Sequence, residues 1–255
     1  SFNIETFGDK LLSCAHFEDI NQVVFVFQQG DIITATYDSI TYDPQQTVVE
    51  IVGTIDNGIE AAEWSYDEET LALISNDRNV ILLSKLYEPI AEFHLEADDL
   101  KKSKHVTVGW GKKETQFRGK GARALEREAL QSLKASGLVG DEMRDPTMPY
   151  MVDTGTITTM DTHEINISWR GDCEFFAVST VETVDDVEDP SKKIERRALR
   201  VFTRDGQLDG ASEPVDGMEH CMSWQPQGSL IATIKRPSRL EDDESLNVIF
   251  FERNG

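Results

Sequence analysis

Short apolar runs, rich in β-branched and aromatic residues, alternate along most of the chain with polar turns containing glycine, proline, asparagine or aspartate. Runs of four to six such residues predict β-strands, because their side chains suit a pleated surface and the turn residues interrupt it. The predicted strands cover residues 23–27, 32–37, 48–52, 71–74, 80–83, 175–179, 199–202, 230–234 and 248–251. The pattern therefore predicts an all-β fold.

A cassette made of a strand ending in tryptophan, a polar turn and an apolar strand occurs three times, around Trp64, Trp169 and Trp224. A fainter copy aligns His16 with the tryptophan position. Repeated units of this kind stack and bury their faces against one another. Because each clear copy carries tryptophan at the same position, we predict that the three indoles are structural anchors between neighbouring sheets.

The spacing of the cassettes indicates the fold. The first two copies lie 48 residues apart and the last two lie 55 apart, close to the roughly 40 to 50 residues of a four-stranded propeller blade. We predict a partial WD-repeat-like β-propeller of about four to five degenerate blades, forming one domain over residues 1–255. A β-sandwich is the alternative, since short, evenly spaced strands suit both folds.

A gap of 105 residues between the middle two cassettes leaves room for an insertion. Within it, apolar residues recur at spacings of three, four and four, which predicts an amphipathic helix. These residues are Ala122, Leu125, Ala129 and Leu133. We therefore predict a helix-containing insertion between blades at residues 118–162, which either carries function or covers an exposed edge of the domain itself.

The net charge of the chain is −22, which argues against a surface that binds nucleic acid throughout. Residues 101–127 are an exception, with nine lysine or arginine residues, two glutamates and a local charge of +7. We predict that this basic segment contacts RNA or a protein partner, with solvated loop charge as the alternative. The candidate contact residues are Lys101, Lys102, Lys104, Trp110, Lys112, Lys113, Arg118, Lys120 and Arg123.

A second basic cluster lies at residues 191–204, directly after an acidic run at residues 182–189. The two runs are expected to neutralise each other across a hairpin, or to be solvated charge on a loop and an edge strand. Both interpretations place this cluster on the surface of the predicted fold.

No arrangement of side chains predicts catalysis, so we expect no catalytic, metal-binding or cofactor-binding residues, and the chain is not expected to be an enzyme. The five histidines lack ligand spacing, and the run from Arg118 to Arg123 lacks the pattern of a phosphate-binding loop. Cys14, Cys173 and Cys221 are widely separated, which fits reduced thiols in the cytoplasm or nucleus. A hydrolase carried on a propeller is a further alternative, and a tightly bound metal ion would support it.

The ends and the apolar runs of the chain add two expectations. No apolar run approaches the roughly 20 residues that cross a bilayer, so no membrane partner is expected. The chain begins at Ser1 and stops just after a predicted strand, so we expect it to be a piece of a longer protein.

The ten residues from Val108 to Phe117 resemble a signature of the largest subunit of the Elongator complex. Four further segments support the resemblance in order and spacing, at residues 169–178, 212–215, 224–232 and 250–255. The amino-terminal half of that family is built from WD-repeat propellers, and this chain is similar to a portion of the first one. The usual Gly-His and Trp-Asp dipeptides are absent here, so the blades are expected to be degenerate.

The resemblance implies a non-catalytic scaffold that supports modification of the tRNA wobble uridine at carbon 5 by positioning partner subunits and tRNA. In that family the chemistry belongs to another subunit, so no catalytic residue is carried over to this chain. The implied partners are other Elongator subunits, and tRNA mainly through regions outside this chain, in the cytoplasm and also the nucleus. Self-association through exposed blade edges is a further expectation. The alternative function is a generic propeller adaptor in another multiprotein assembly.

Overall fold

The computed structural model describes residues 8–41, 43–101, 154–185, 191–236 and 246–253. In this part of the chain the backbone forms fifteen β-strands and two short 3-10 helices. The strands assemble into four antiparallel sheets in which strands that are consecutive along the chain are also neighbours. Neither of the helices in these ranges has the length and apolar character needed to cross a bilayer. The predicted all-β class is confirmed.

Each sheet is a meander that begins with its innermost strand. Blade 1 contains β1 (Leu11–Phe17), β2 (Gln22–Phe27), β3 (Asp31–Thr36) and β4 (Val48–Thr54). Blade 2 contains β5 (Ile59–Trp64), β6 (Thr70–Ser75), β7 (Asn79–Ser84) and β8 (Pro89–His94). Blade 3 contains β9 (Asn166–Trp169), β10 (Phe175–Asp185), β11 (Lys193–Thr203) and β12 (Leu208–Ala211). The described strands of blade 4 are β13 (Met218–Trp224), β14 (Leu230–Lys235) and β15 (Asn247–Glu252).

The two 3-10 helices lie outside the sheets. Pro44–Gln46 precedes β4, and the side chain of Asp43 caps it by accepting a hydrogen bond from the amide of Gln45. Ala97–Lys101 follows β8. All nine predicted strand segments fall within or overlap observed strands, because runs of β-branched and aromatic residues bounded by turn residues suit sheets that are covered by other blades.

The turns after the cassette tryptophans share a backbone conformation in blades 2 and 3. Glu68 and Cys173 each lie four residues after the tryptophan, with φ of 61° and 62°. Non-glycine residues adopt this left-handed region mostly as single residues in tight turns. In both blades the residue after the tryptophan also donates its amide to the carbonyl that closes the turn, at 2.8 and 2.9 Å. The sequence cassette is therefore also a structural repeat.

The sheets stack face to face, and the innermost strands β1, β5, β9 and β13 contact one another in that order. Three apolar clusters fill the spaces between blades 1 and 2, blades 2 and 3, and blades 3 and 4. All six residues of β6 are buried, because this strand has a blade on each side. Sheets arranged in this way are blades, and two layered sheets of a sandwich would not give three successive interfaces.

Blades 2 and 3 are direct neighbours although 71 residues separate their last and first strands, His94 and Asn166. No described sheet therefore lies between these two blades. The predicted helix with Ala122, Leu125, Ala129 and Leu133 lies outside the described residues, which include only residues 154–162 of the predicted insertion. From residue 154 onward, the structure has an isolated bridge between Thr156 and Arg196 and then an irregular segment up to β9.

Candidate functional site

The three cassette tryptophans occupy one position in the blade. Each pairs across its hairpin with the residue seven positions later, which is Leu71, Phe176 or Ile231. Their exposed fractions are 8%, 1% and 6% for Trp64, Trp169 and Trp224. Each indole belongs to the apolar cluster shared with the preceding blade.

The indole nitrogen links successive blades through the backbone. Trp169 donates from Nε1 to the carbonyl oxygen of Glu63 at 3.2 Å, and Trp224 donates to that of Ser168 at 2.9 Å. Glu63 and Ser168 each directly precede the tryptophan of the previous blade, so both bonds repeat one contact. Trp64 Nε1 is buried and finds no acceptor among the described residues. The phenyl ring of Phe17 instead packs edge-on against its indole, with centroids 4.8 Å apart.

The fainter copy of the cassette in blade 1 has the expected register but a different environment. His16 pairs with Val23, again seven positions later. Its ring is exposed and lies 2.7 Å from the hydroxyl of Tyr37 in its own blade. The neighbouring Phe17 is completely buried and fills the interface with blade 2. The tryptophan position is thus polar on the outer face of blade 1, where no described blade covers it.

A repeated cation also ties each blade to the one before it. Lys85, Arg204 and Arg253 each follow the last residue of the third strand of their blade. Their backbone amides make the same hydrogen bond, to the residue that precedes the second strand, at 2.8 to 3.0 Å. This shared backbone position aims all three side chains at the preceding blade.

The ionic partners of these cations lie across the seams, which are the interfaces between neighbouring blades. Lys85 Nζ is 2.8 Å from Asp19 Oδ2, and Arg204 Nη1 is 2.5 Å from Asp67 Oδ2. The hydrogen bond from Lys85 lowers the pKa of Asp19. Burial raises the pKa of Asp67, but hydrogen bonds from Ser65 and from the guanidinium outweigh this and leave the pKa below its usual value. These carboxylates therefore stay ionised at neutral pH.

The blade 4 cation differs in its partners. Arg253 Nε lies 3.1 Å from Asp209 Oδ2 of blade 3, and its guanidinium stacks 4.5 Å from the ring centre of Phe175. Sequence reasoning missed all three cations. The signal was available, because each directly follows the dipeptide that stands where Trp-Asp occurs in regular WD repeats.

The second basic cluster is not the solvated surface that the sequence favoured. The side chains of Arg197 and Arg200, both on β11, are completely buried in ion pairs. Two ion pairs do cross the hairpin as expected, between Lys193 Nζ and Asp185 Oδ1 at 2.5 Å and between Arg200 Nη2 and Glu182 Oε1 at 2.8 Å. The expectation of solvated charge is wrong for the two arginines, because strands and loops from elsewhere in the chain cover β11.

The predicted contact residues of the basic segment lie outside the described residues, with one partial exception. Lys101 is the last residue of the second 3-10 helix, and its side chain is not described. The other eight candidates fall within residues 102–153. Their contact role therefore stays a prediction.

Among the described residues, no group of three or more histidine, cysteine, aspartate or glutamate side chains could hold a metal ion. The three cysteines are free, with Cys14 exposed, Cys221 partly buried and Cys173 buried. Burial raises the pKa of the Cys14 and Cys173 thiols, which disfavours the reactive thiolate.

A polar groove of about 480 Å³ lies between the β9–β10 and β13–β14 turns. Arg170 donates from Nε and Nη2 to the two carboxylate oxygens of Asp172, at 2.7 and 2.5 Å. The same guanidinium stacks 4.3 Å from the ring centre of Phe175. The cation and the carboxylate that line the groove thus satisfy each other, and the arrangement braces the turn.

Comparison with known proteins agrees with this geometry. A family model described as ELP1 first N-terminal beta-propeller matches residues 1–255. The chain belongs to the ELP1 first-propeller family. The resemblance noted in the sequence is confirmed.

Curated relatives share the name Elongator complex protein 1. The Saccharomyces cerevisiae protein is 72% identical over 255 residues, which cover 100% of this chain and 19% of that protein. The Schizosaccharomyces pombe protein is 36% identical over 97% of this chain and 17% of its own length. The Oryctolagus cuniculus protein is 34% identical over 88% of this chain and 14% of its own length. The chain thus spans less than a fifth of these relatives.

Proposed function

We propose that this ELP1-family propeller is a non-catalytic scaffold of the Elongator complex, which supports carbon-5 modification of the tRNA wobble uridine by positioning partner subunits and tRNA. The observation that carries this proposal is the repetition of seam contacts. An indole hydrogen bond joins blades 2 and 3 and blades 3 and 4, while a cation reaches across all three seams.

Seams of this kind favour a positioning role for a physical reason. Close-packed interfaces with directed hydrogen bonds are not continuously deformable, so blades joined in this way keep a fixed relative orientation. The loops at the two ends of the blades are then held at fixed separations, which is what a surface that binds several partners at once needs. Free thiols without a disulfide framework are in keeping with a cytoplasmic location.

The scaffold proposal is tested by loosening one seam in the full-length subunit within its complex. Trp169→Ala removes the most buried of the three indoles together with its bond to Glu63. We expect partner subunits to be lost on co-purification and wobble-uridine modification to fall, while the isolated catalytic subunit keeps its activity. Tyr66→Ala is the matched control, because this aromatic lies in a cassette turn and is 68% exposed. Full partner retention and full modification in the Trp169 variant would refute the proposal.

The tRNA part of the proposal is supported by the basic segment, which carries +7 in a chain of net charge −22. Contacts between lysine or arginine and phosphate release counterions, so affinity falls steeply with salt. Reversing the charge of Lys112, Lys113, Arg118 and Lys120 in the assembled complex should weaken tRNA binding and flatten its salt dependence. Reversing the exposed Lys192 and Lys193 is the control. Unchanged tRNA affinity together with unchanged assembly would discard this contact.

A further inference from the structure

The upstream flank of the insertion leaves blade 2 but lies on blade 3. After β8, residues 97–101 form the 3-10 helix that contacts β10 and β12. Arg200 Nη2 donates to the carbonyl oxygen of Glu96 at 3.0 Å, and its Nε lies 4.0 Å from Asp99 Oδ2. The same guanidinium also binds Thr180 and Glu182 of β10, at 2.7 and 2.8 Å, so one buried side chain of blade 3 joins the sheet to the last described turn before residue 102.

The downstream flank returns to the same strand. Arg197 donates from Nε and Nη2 to the two oxygens of Asp161, at 2.7 and 2.6 Å. Its remaining nitrogen, Nη1, donates to the carbonyl of Glu164 at 2.9 Å and to Ser179 Oγ at 3.1 Å. The exposed fractions of the two charged side chains are 0% and 1%. This bidentate pair is thus completely removed from water.

A second set of bonds holds the start of the downstream flank. The Asp216 carboxylate oxygen Oδ1 accepts the amides of Thr154, Gly155 and Thr156, at 2.9, 2.7 and 3.0 Å. Thr156 also forms the isolated bridge with Arg196 of β11. The segment therefore lies between β11 and the loop that enters blade 4, as far as residue 154.

The position of Gly155 requires the absence of a side chain. Its φ is +84°, and a Cβ there would lie 2.8 Å from Cγ of Arg196. Burial lowers the pKa of the Arg196 guanidinium to about 10, since this side chain is covered where the flank crosses β11. The three arginines of β11 near the insertion, Arg196, Arg197 and Arg200, thus each contact one flank or the other.

The choice of arginine is informative, because burial of an ion pair is not an efficient way to stabilise a fold. Desolvation of both charges offsets most of their attraction, and well-packed apolar residues often serve equally well. A guanidinium gives what an apolar contact lacks, which is a planar fork that binds carboxylates and carbonyls in one orientation. The arginines are therefore better suited to fixing the orientation of the two flanks relative to β11 than to stabilising the fold.

We propose that β11 anchors both flanks of residues 102–153 on blade 3, with Arg200 as the positioning residue for the upstream flank and Arg197 for the downstream flank. The inference rests on the proposed function in one respect, because the anchored segment contains the candidate contact residues. Its consequence is that both described flanks of this segment lie on one blade.

The test is hydrogen exchange of the 255-residue chain, followed by mass spectrometry. Arg197→Met should increase amide exchange in residues 161–165 about tenfold, because bonds to a charged group are lost there, whereas residues 154–156 keep their bonds to Asp216. Arg200→Met should do the same in residues 95–101. Neither change should spread to the flank held by the other arginine. Arg204→Met is the matched control, since that side chain pairs with Asp67 on a blade seam and should alter neither flank.

Conservative variants keep the test decisive if a methionine variant fails to fold. Arg197→Lys and Arg200→Lys retain the charge but lose the fork, so exchange at the corresponding flank should still rise. Unchanged protection of both flanks in these variants would overturn the anchor, as would a uniform rise over all blades. Partner co-purification with the full-length subunit is measured separately. If exchange changes locally while partners and tRNA remain bound, the anchor stands and the contact role of the segment fails.

Discussion

At the residue scale, the indole nitrogen distinguishes three tryptophans that sequence alone makes equivalent. Trp169 and Trp224 donate to a backbone carbonyl of the preceding blade, whereas Trp64 Nε1 is buried without an acceptor among the described residues. A buried donor without a partner costs free energy that a bonded donor does not. The same side chain at the same register should therefore make unequal contributions to stability.

This difference can be measured by replacing each indole with a smaller ring that lacks the donor. Trp169→Phe loses the hydrogen bond to the carbonyl of Glu63, whereas Trp64→Phe loses only ring area and removes an unsatisfied donor. We expect Trp169→Phe to lower the free energy of unfolding by about 1 kcal/mol more than Trp64→Phe, as measured by urea denaturation. Equal losses in the two variants would contradict the inferred role of the hydrogen bond.

The buried carboxylate of Asp161 makes a pH-dependent contribution. Burial raises its pKa, but hydrogen bonds from Arg197 and from the amide of His163 outweigh burial, so the pKa lies below its ordinary value of 3.8. In acid, the unfolded chain then takes up a proton before the folded chain does. The stabilisation is therefore complete above about pH 5 and is lost as the pH falls through the lowered pKa.

The measurement compares the chain with its Asp161→Asn variant across this range of pH. The difference in unfolding free energy between them should be largest above about pH 5 and should shrink as the pH approaches 3. Taking a difference cancels the titration of the other carboxylates, which both proteins share. A difference that stays constant from pH 6 to pH 3 would show that Asp161 has no lowered pKa.

Residue-scale sequence reasoning succeeded where a role repeats and failed where a role depends on distant partners. The register of His16 followed from the cassette, but its exposure did not, because exposure depends on whether another blade covers that face. The buried state of Arg197 was also hidden, since its carboxylate partner lies 36 positions away in an irregular segment. Local patterns specify strands, whereas ion pairs between loops and strands require the tertiary fold.

At the element scale, two cassette turns bring blades 3 and 4 into close backbone contact. Gly171 lies so near Pro226 that a Cβ would stand 2.1 Å from the carbonyl oxygen of that proline. Because the opposing atom is backbone, a side chain cannot be accommodated by a rotamer change, and the turns themselves would have to separate. The glycine in the turn of blade 3 thus allows the turn of blade 4 to lie this close.

Gly171→Ala should therefore be destabilising by about 1 to 3 kcal/mol, the usual cost of forcing atoms into a packed contact. The matched control is Gly53→Ala in β4, where a Cβ would meet only Cδ1 of Ile32 at 3.7 Å, an ordinary contact. We expect the control to retain its stability in thermal denaturation monitored by circular dichroism. Equal melting temperatures for the two variants would refute the close approach.

The strands and their order could be predicted because each blade is a local meander. Hairpin partners lie close along the chain, and apolar runs bounded by turn residues mark the strands. The seam cations were harder, because the partners of Lys85 and Arg204 lie 66 and 137 positions away. Only the repeat register, which places these cations after equivalent strands, could have pointed to them.

At the scale of the whole molecule, the two end blades carry apolar faces that match each other. On blade 4, Val248 and Phe250 are 61% and 64% exposed, and on blade 1, Val49 and Ile51 are 43% and 63% exposed. By register, the blade 1 face corresponds to the tryptophan-bearing faces, and the blade 4 face corresponds to those that receive a tryptophan. Two copies of the 255-residue chain should therefore associate head to tail, a contact that does not close on itself.

The net charge of −22 opposes this association, so we expect it to strengthen when salt screens the repulsion. Light scattering should show that the average molar mass of the assemblies rises with protein concentration. Either Phe250→Glu or Ile51→Glu alone should abolish this rise. Each variant keeps one intact face, so an equimolar mixture of the two should form dimers and nothing larger. Leu86→Glu is the control, because this residue is 77% exposed in a turn away from both faces. A monodisperse monomer at high concentration and high salt would disprove head-to-tail pairing, and continued growth of either single variant would place the contact elsewhere.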